Sequence, residues 1–486
     1  MRGAPLVLVC VALISPPLRA AGRAPDVAPF VSVDAKVVAL VHVRVIDGTG
    51  GPAREDQTVV IEGEKLAAIG PALEVKLPAG ALVLERPGFS VIPGLVGMHD
   101  HLYYTASIST QRGPDGRVAE PGLFVNEVLY TAPRLYLAAG VTTARTTGSL
   151  EPYADLKVKS RIDDGLMPGP HLDVTAPYLE GKPTPFAQMH ELRGADDARG
   201  LVNYWAGEGA TSFKGYMNLT REELRAAIEE AHKHKLKLTA HLCSITWKEA
   251  VEMGIDDLEH GPVYTSSDFL EGKKPDLCPP GRAIASNWAS LDVAGPQVSG
   301  LIKLLVARGV AVTSTLPVFE AFAPGRPKLD PRVLEAMSAN ARESYLTARA
   351  AIPLDAPAAG WLKKEQQFEL AFFRAGGLLL AGPDPTGNGG VLAGFGDQRE
   401  LELLVEAGLT PLEAIQVGTA NGARYLGQLD KIGTLAVGKR ADLVLIKGDP
   451  SRNIGDLESV ETVFKDGVGY DSKKLIDSVR GQVGIR

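Results

Sequence analysis

Pro93-Gly94-Leu95-Val96-Gly97-Met98-His99-Asp100-His101 is a short apolar run that ends in two histidines one residue apart. Residues two apart on a β-strand face the same side, so His99 and His101 aim together at whatever lies there. Converging imidazoles suggest a metal. An isolated His-x-His can equally be a strand end that satisfies local hydrogen bonds, so the rest of the chain has to decide.

From residue 95 onward, apolar strand-like runs alternate with helical patterns, as in a parallel α/β fold. Strands are expected near residues 95–101, 141–146, 171–176, 210–216, 237–242, 255–260, 310–316 and 377–383. Eight of them imply a TIM-like (β/α)8 barrel. Between two of these strands, Thr220 reads as an N-cap with Glu223 three residues on, and Leu224, Ala227, Ile228 and Ala231 form one apolar helix face. In such barrels the active site lies at the C-terminal strand ends. Those ends carry His99, His101, Arg145, Lys214, His241, His260 and Asp384.

Short β-rich runs broken by turns fill residues 37–91, and a similar pattern returns at Leu443-Val444-Leu445-Ile446 and Ser459 to Phe464. The simplest account is one β-sandwich built from both ends of the chain, with the barrel inserted between them. The expected division is a signal peptide over residues 1–20, the first sandwich part over 21–92, the barrel over 93–430, and the second part with a tail over 431–486.

The 486 residues suit a large barrel plus a smaller domain. Arg2, the apolar run Pro5 to Ile14 and the small Ala20 read as an export leader, giving a periplasmic or extracellular protein. No later stretch has the ~20 unbroken apolar residues of a membrane span. The net charge of −7 without a basic block argues against nucleic acid and for a small-molecule or short-peptide substrate, with homo-oligomerisation left open. Cys10 belongs to the leader. Cys243 and Cys278 allow one disulfide at most, and Cys243 reads more simply as a small buried residue than as a metal ligand.

Each strand-end residue has an ordinary reading when taken alone: Lys214 as a salt-bridged lysine, His241 and His260 as satisfied histidines, Asp384 as a turn residue. Lys214, His241 and His260 stand 27 and 19 residues apart, each about one strand-helix unit. The joint pattern favours a metal site. A buried lysine at a barrel mouth also has a lowered pKa, and its neutral amine can take up carbon dioxide as a metal-bridging carbamate.

The chain resembles the amidohydrolase superfamily, and within it the imidazolonepropionase-like and Xaa-Pro dipeptidase-like branch. The resemblance is carried by residues 45–50, the run from Val91 through His101, and the stretches 419–427 and 433–443. It implies two divalent metals, zinc or another transition ion. His99 and His101 would hold the more buried metal and His241 and His260 the more exposed one. Carboxylated Lys214 would bridge the two, and Asp384 would be both ligand and base. Gly97 stands where relatives often carry Asp or Asn, and Pro383 where they carry Thr or Ser.

The expected reaction is hydrolysis of a carbon-nitrogen bond, in a dipeptide or an N-acyl amino acid. A cyclic amidase or lactonase is the alternative on the same site, and a catalytically silent metal-binding protein is the rival from another class. Tyr216 is a further catalytic candidate through a hydrogen bond to the substrate carbonyl, or else a packing residue. Arg145, Tyr178 and His190 are substrate-binding candidates, with a structural ion pair as the other reading of Arg145 and plain rim positions as that of the other two. Between His260 and Asp384 the chain is longer than two strand-helix units need, and Tyr264–Ser290 and Phe319–Pro331 are expected to form a lid over the site.

Overall fold

The computed structural model describes residues 22–105, 128–186 and 188–484. The expected leader, residues 1–20, lies outside them.

Eight parallel strands form where the apolar runs predict: Leu95–Asp100, Val141–Thr146, His171–Val174, Ser212–Gly215, Lys237–Ala240, Asp257–Glu259, Ala311–Ser314 and Leu379–Ala381. The first three pair as one sheet and the last five as another. One seam is bridged by parallel contacts of Thr175 with Ser212 and of Leu179 with Gly215. At the other seam the Asp384 N–H donates to the His99 carbonyl at 3.0 Å. The two sheets thus make one ring of strands. Leu95–Asp100 and Val141–Thr146 are buried along their whole length, as strands covered on both faces must be.

The helices between strands follow their sequence signals. Arg221–Lys233 starts at a complete capping box between Thr220 and Glu223 and buries Leu224, Ala227, Ile228 and Ala231, as expected. That apolar face holds the helix against the barrel. The capping box satisfies amide groups at its exposed start.

The two ends of the chain build one β-domain. Phe89–Pro93 pairs antiparallel with Leu443–Lys447, bringing Val91 opposite Leu445 across more than three hundred residues of sequence. Its other edge runs parallel to Val37–Val45. The layers of this sandwich are halves of a single nine-stranded sheet. The sheet folds over a core that includes Val38, Leu40, Ile61, Val91, Leu443 and Phe464. Beyond the last strand, helix Ser472–Asp477 follows, and the tail returns to the barrel: Gly481 and Gln482 donate to the carbonyls of Glu335 and Ala336, and Val483 accepts from Ser338.

The excess length after the sixth and seventh strands lies where expected, but the first segment is fastened down. Cys243 and Cys278 form a disulfide, the Asp276 carboxylate grips the Arg221 guanidinium at 3.0 Å twice over, and Lys273 donates to the Ser244 carbonyl at 2.6 Å. The expected lid is therefore a fixed wall over Tyr264–Ser290. Cys243 is buried, and its thiol is taken up in the disulfide. The second segment opens with helix Leu316–Glu320, whose Phe319 ring stacks on Tyr264 with centroids 4.0 Å apart.

Candidate metal centre

At the C-terminal mouth of the barrel the strand-end residues other than Arg145, six in all, come together. The His99, His101 and Asp384 donor atoms all lie within 4.8 Å of one another. The His101 Nε2 is 3.2 Å from Asp384 Oδ1 and the His99 Nε2 is 3.7 Å from it. The Lys214 Nζ is 3.3 Å from His99 Nε2. The His260 ring packs between those of His99 and His241, with centroids 4.5 and 4.4 Å away.

Hydrogen bonds on the far side of two rings decide which nitrogen each offers. The His99 Nδ1 lies 2.7 Å from Glu259 Oε2 and the His101 Nδ1 3.2 Å from the Gly148 carbonyl. Both partners only accept, so each Nδ1 carries the proton and each Nε2 presents a lone pair to the centre. His260 Nδ1 pairs with the Thr315 hydroxyl at 2.9 Å. The His241 ring nitrogens make no hydrogen bond among the described residues, and His241 is the least buried of the four rings.

The electrostatics suit a cation. Burial, with the Lys214 ammonium second, holds His241 down to about 3, and burial likewise depresses His99 and His260. All three rings are neutral and able to ligate near pH 7. Burial alone would raise Asp384, but His99, His101 and Lys214 hold its carboxyl well below the usual range, so it is ionised. Burial brings Lys214, which is only 1% exposed, down to about 8. No carboxylate among the described residues lies within salt-bridge distance of its ammonium, so the ordinary salt-bridge reading does not apply. Neutral imidazoles, one carboxylate and a near-neutral lysine fit a transition-metal site.

Two of these residues sit on strained backbone. His260 and Asp384 have φ of 71° and 47°, in the left-handed region that non-glycine residues avoid. The Asp384 amide, bonded to the His99 carbonyl, pins that turn.

The two departures in sequence have local compensation. Thr386, two residues after Asp384, donates its hydroxyl to Asp384 Oδ1 at 2.9 Å, a contact that Pro383 cannot make. At Gly97 a Cβ would fall 1.9 Å from Asp100 Oδ2 and 2.9 Å from Asp397 Oδ1, so Asp100 and Asp397 take the room of the missing side chain.

Arg145 makes the structural ion pair that was its other reading. It is buried beneath the site, where its guanidinium donates to Asp257 at 2.8 Å, to Glu259 at 2.9 Å and to the Met98 carbonyl at 2.8 Å. A strand-end position did not reveal that the side chain points down into the barrel. His190 fits its plain rim reading: it is exposed and pairs with Asp197 at 2.9 Å. Tyr178 does border the centre, 5.9 Å from Lys214 Nζ to its ring centroid, and its hydroxyl bonds that of Tyr103 at 3.0 Å. The Tyr216 ring meets His241 edge-on at 5.0 Å. Across the mouth, the Phe319 ring lies 6.1 Å from that of His260. Glu259, Thr315, Thr386 and Tyr103 were not singled out from the sequence. The adjacency of Glu259 to His260, and of Thr386 to Asp384 in a Pro- and Gly-rich turn, was the available signal.

The model of the Amidohydrolase family matches residues 90–469, which span every one of these strands. The chain belongs to the amidohydrolase family. Among curated relatives of this amidohydrolase-family chain, a dihydroorotase of Pelotomaculum thermopropionicum is 31% identical over 111 residues, 23% of this chain and 21% of that protein. An imidazolonepropionase of Parabacteroides distasonis is 41% identical over 66 residues, 13% of this chain and 16% of that protein. The matches thus span about a fifth or less of these relatives' lengths. Among solved structures, a Xaa-Pro dipeptidase with bound methionine in the active site superposes with a TM-score of 0.65 at 19% identity, covering 90% of this chain and all of that one. It supports the barrel fold.

Proposed function

We propose that this protein is an exported, binuclear metal-dependent hydrolase that cleaves a carbon-nitrogen bond in a small amide, such as a dipeptide or N-acyl amino acid. The observation that carries the reading is the meeting of His99, His101 and Asp384 with a buried Lys214 amine that has no carboxylate partner among the described residues and lies 3.3 Å from His99 Nε2. In this reading His99 and His101 would hold one ion, His241 and His260 the other, and Asp384 would bind the first. Lys214 would add carbon dioxide through its neutral amine, losing a proton, and the resulting carbamate would supply oxygen ligands to the metals. The ions, zinc being well suited to these ligands, supply Lewis acidity and a water that ionises near neutral pH.

The protein's own groups account for the rest. Asp384, ionised at neutral pH, is placed to accept the proton of the attacking water and to pass it to the leaving nitrogen. Burial, with the Asp384 charge second, raises the Tyr216 phenol, so it stays protonated as a hydrogen-bond donor for a carbonyl oxygen. The Tyr178 hydroxyl is already engaged with Tyr103, which leaves Tyr216 the freer donor. Glu259 and the Gly148 carbonyl keep His99 and His101 in the ligating tautomer. The leader-like first twenty residues and the Cys243–Cys278 disulfide support export, since disulfides persist in oxidising compartments.

The test is metal analysis of the protein beside turnover of dipeptides, N-acyl amino acids and lactones. About two ions per chain with amide cleavage is the expected result. Preference for lactones or cyclic amides would favour the alternative chemistry, and full metal content without any turnover would favour a binding protein. N-terminal sequencing of the protein from its own host should find a start near Ala21; an intact Met1 on most molecules would overturn export.

A further inference from the structure

Strand alternation sets two adjacent residues of the fourth barrel strand against opposite sides of its wall. Lys214 points in toward the metal centre, and Phe213 points outward. Outside the wall, between helix Ala195–Glu208 and the segment after the third strand, lies a cleft of about 330 Å³. Leu150, Tyr178, Leu201, Trp205 and Phe213 give it largely apolar and aromatic walls, and His190 lines it as well. That volume and lining are characteristic of small-molecule sites.

A second observation points to a ligand. Ser149 also lines this cleft, is 1% exposed, and has a buried hydroxyl without a hydrogen-bond partner among the described residues. A buried hydroxyl left unpaired is unfavourable, a penalty that a bound hydrogen-bonding group would remove. An apolar slot with one unsatisfied hydroxyl suits a flat ring that bears a single N–H or O–H group.

Tyr178 is the partition between this cleft and the mouth of the barrel. It borders the cleft and also reaches the centre through its bond to Tyr103, its edge contact with Tyr216 at 4.9 Å, and the Lys214 amine. A ligand against the outer side of Tyr178 would therefore be felt by the phenol assigned to the substrate carbonyl. Gly148 is part of the same joint: its φ is 88°, and a Cβ there would fall 2.5 Å from the Tyr178 ring. The Gly148 carbonyl orients His101.

We propose that this cleft is a second binding site, for a neutral aromatic group carrying one hydrogen-bonding heteroatom, and that it communicates with the catalytic mouth through Tyr178. The group is either a distal ring of the substrate or a separate effector; the recognition chemistry is the same for both.

The test uses the metal-loaded protein and indole as the probe, with binding read directly by calorimetry or ligand-observed NMR. Saturable binding is expected, weakened fivefold or more by Ser149→Ala and by Leu201→Trp, which fills the slot. Ser149→Ala removes only one oxygen, so it keeps the test sound should Leu201→Trp disturb the helix. Competition of indole with substrate would assign the ring to the substrate, and a change in kcat at unaltered KM would assign it to an effector. Non-saturable binding, or equal affinity in the wild type and both variants, would overturn the site. Because binding is read on the protein itself, this result is independent of whether the proposed amide hydrolysis is correct.

Discussion

Glu259 locks the ring of His99: its Oε2 stands 2.7 Å from His99 Nδ1, while its Oε1 accepts from Arg145 at 2.9 Å and from Thr239 at 2.5 Å. One carboxylate thus orients a ligand and is itself held by a buried guanidinium. Glu259→Gln keeps the shape but loses the charge that favours the Nδ1 proton. Metal affinity should fall about 10- to 100-fold, as for other partners of ligating histidines. Titration with a metallochromic chelator measures this, and unchanged affinity would remove Glu259 from the metal's support.

Lys214 can be tested without any substrate. In metal-free protein kept free of carbon dioxide, its folded pKa of about 8 lies below its ordinary value of 10.5. The unfolded chain binds the extra proton between those values, so stability rises with pH across that window. Below about pH 8 the buried ammonium destabilises the fold by about 3 kcal/mol. Lys214→Met should therefore be more stable than wild type at pH 7, with the gap closing toward pH 10.5. Urea unfolding at both pH values checks it, and a pH-independent gap would contradict the buried-amine account. The same variant should lose bound metal and most turnover.

Asp384→Asn preserves shape and should fold with part of its metal. Turnover should fall by ~10² or more, the usual loss with a general base. Near-normal kcat would move the proton-transfer role elsewhere.

Phe319 and Tyr264 join the two long segments beside the His260 ring. Phe319→Leu should raise KM several-fold while metal content stays constant, because the ring contacts the mouth but reaches no ligand atom. A loss of metal instead would show that the stacked pair supports His260 itself.

The disulfide closes a loop of 35 residues. Cys278→Ser should lower stability by about 2–4 kcal/mol, the usual range for such a cross-link. The grips of Asp276 on Arg221 and of Lys273 on Ser244 remain, so metal content should hold. Thermal melting beside metal analysis separates the two effects.

Much of this architecture was legible because the relevant signals are local. Alternating apolar runs marked all eight barrel strands, and Thr220 with Glu223 marked a helix start that the structure reproduces. The metal-site candidates were legible because strand ends converge in a barrel. What stayed hidden depends on direction and on distant partners. Arg145 ends a strand as His99 does, yet points downward because Asp257 and Glu259 wait beneath it. His190 is captured by Asp197, seven residues away. The pairing of Cys243 with Cys278 depends on how the segment after the sixth strand folds back. Thr386 does for Asp384 what Pro383 cannot, a substitution of partner that only three-dimensional proximity reveals.

The pairing of Val91 with Leu445 imposes an order on the making of this protein. The strand Phe89–Pro93 is synthesised more than three hundred residues before its antiparallel neighbour Leu443–Lys447. Until then its edge is unpaired, and an exposed apolar edge is a template for association with other chains. Contacts this far apart in sequence also close slowly. A nascent chain stalled short of residue 443 would carry a nearly complete barrel and an open strand edge. Such truncated chains should aggregate even with every metal ligand already in place, making the interval between synthesis of the two paired strands the vulnerable one in this protein's life.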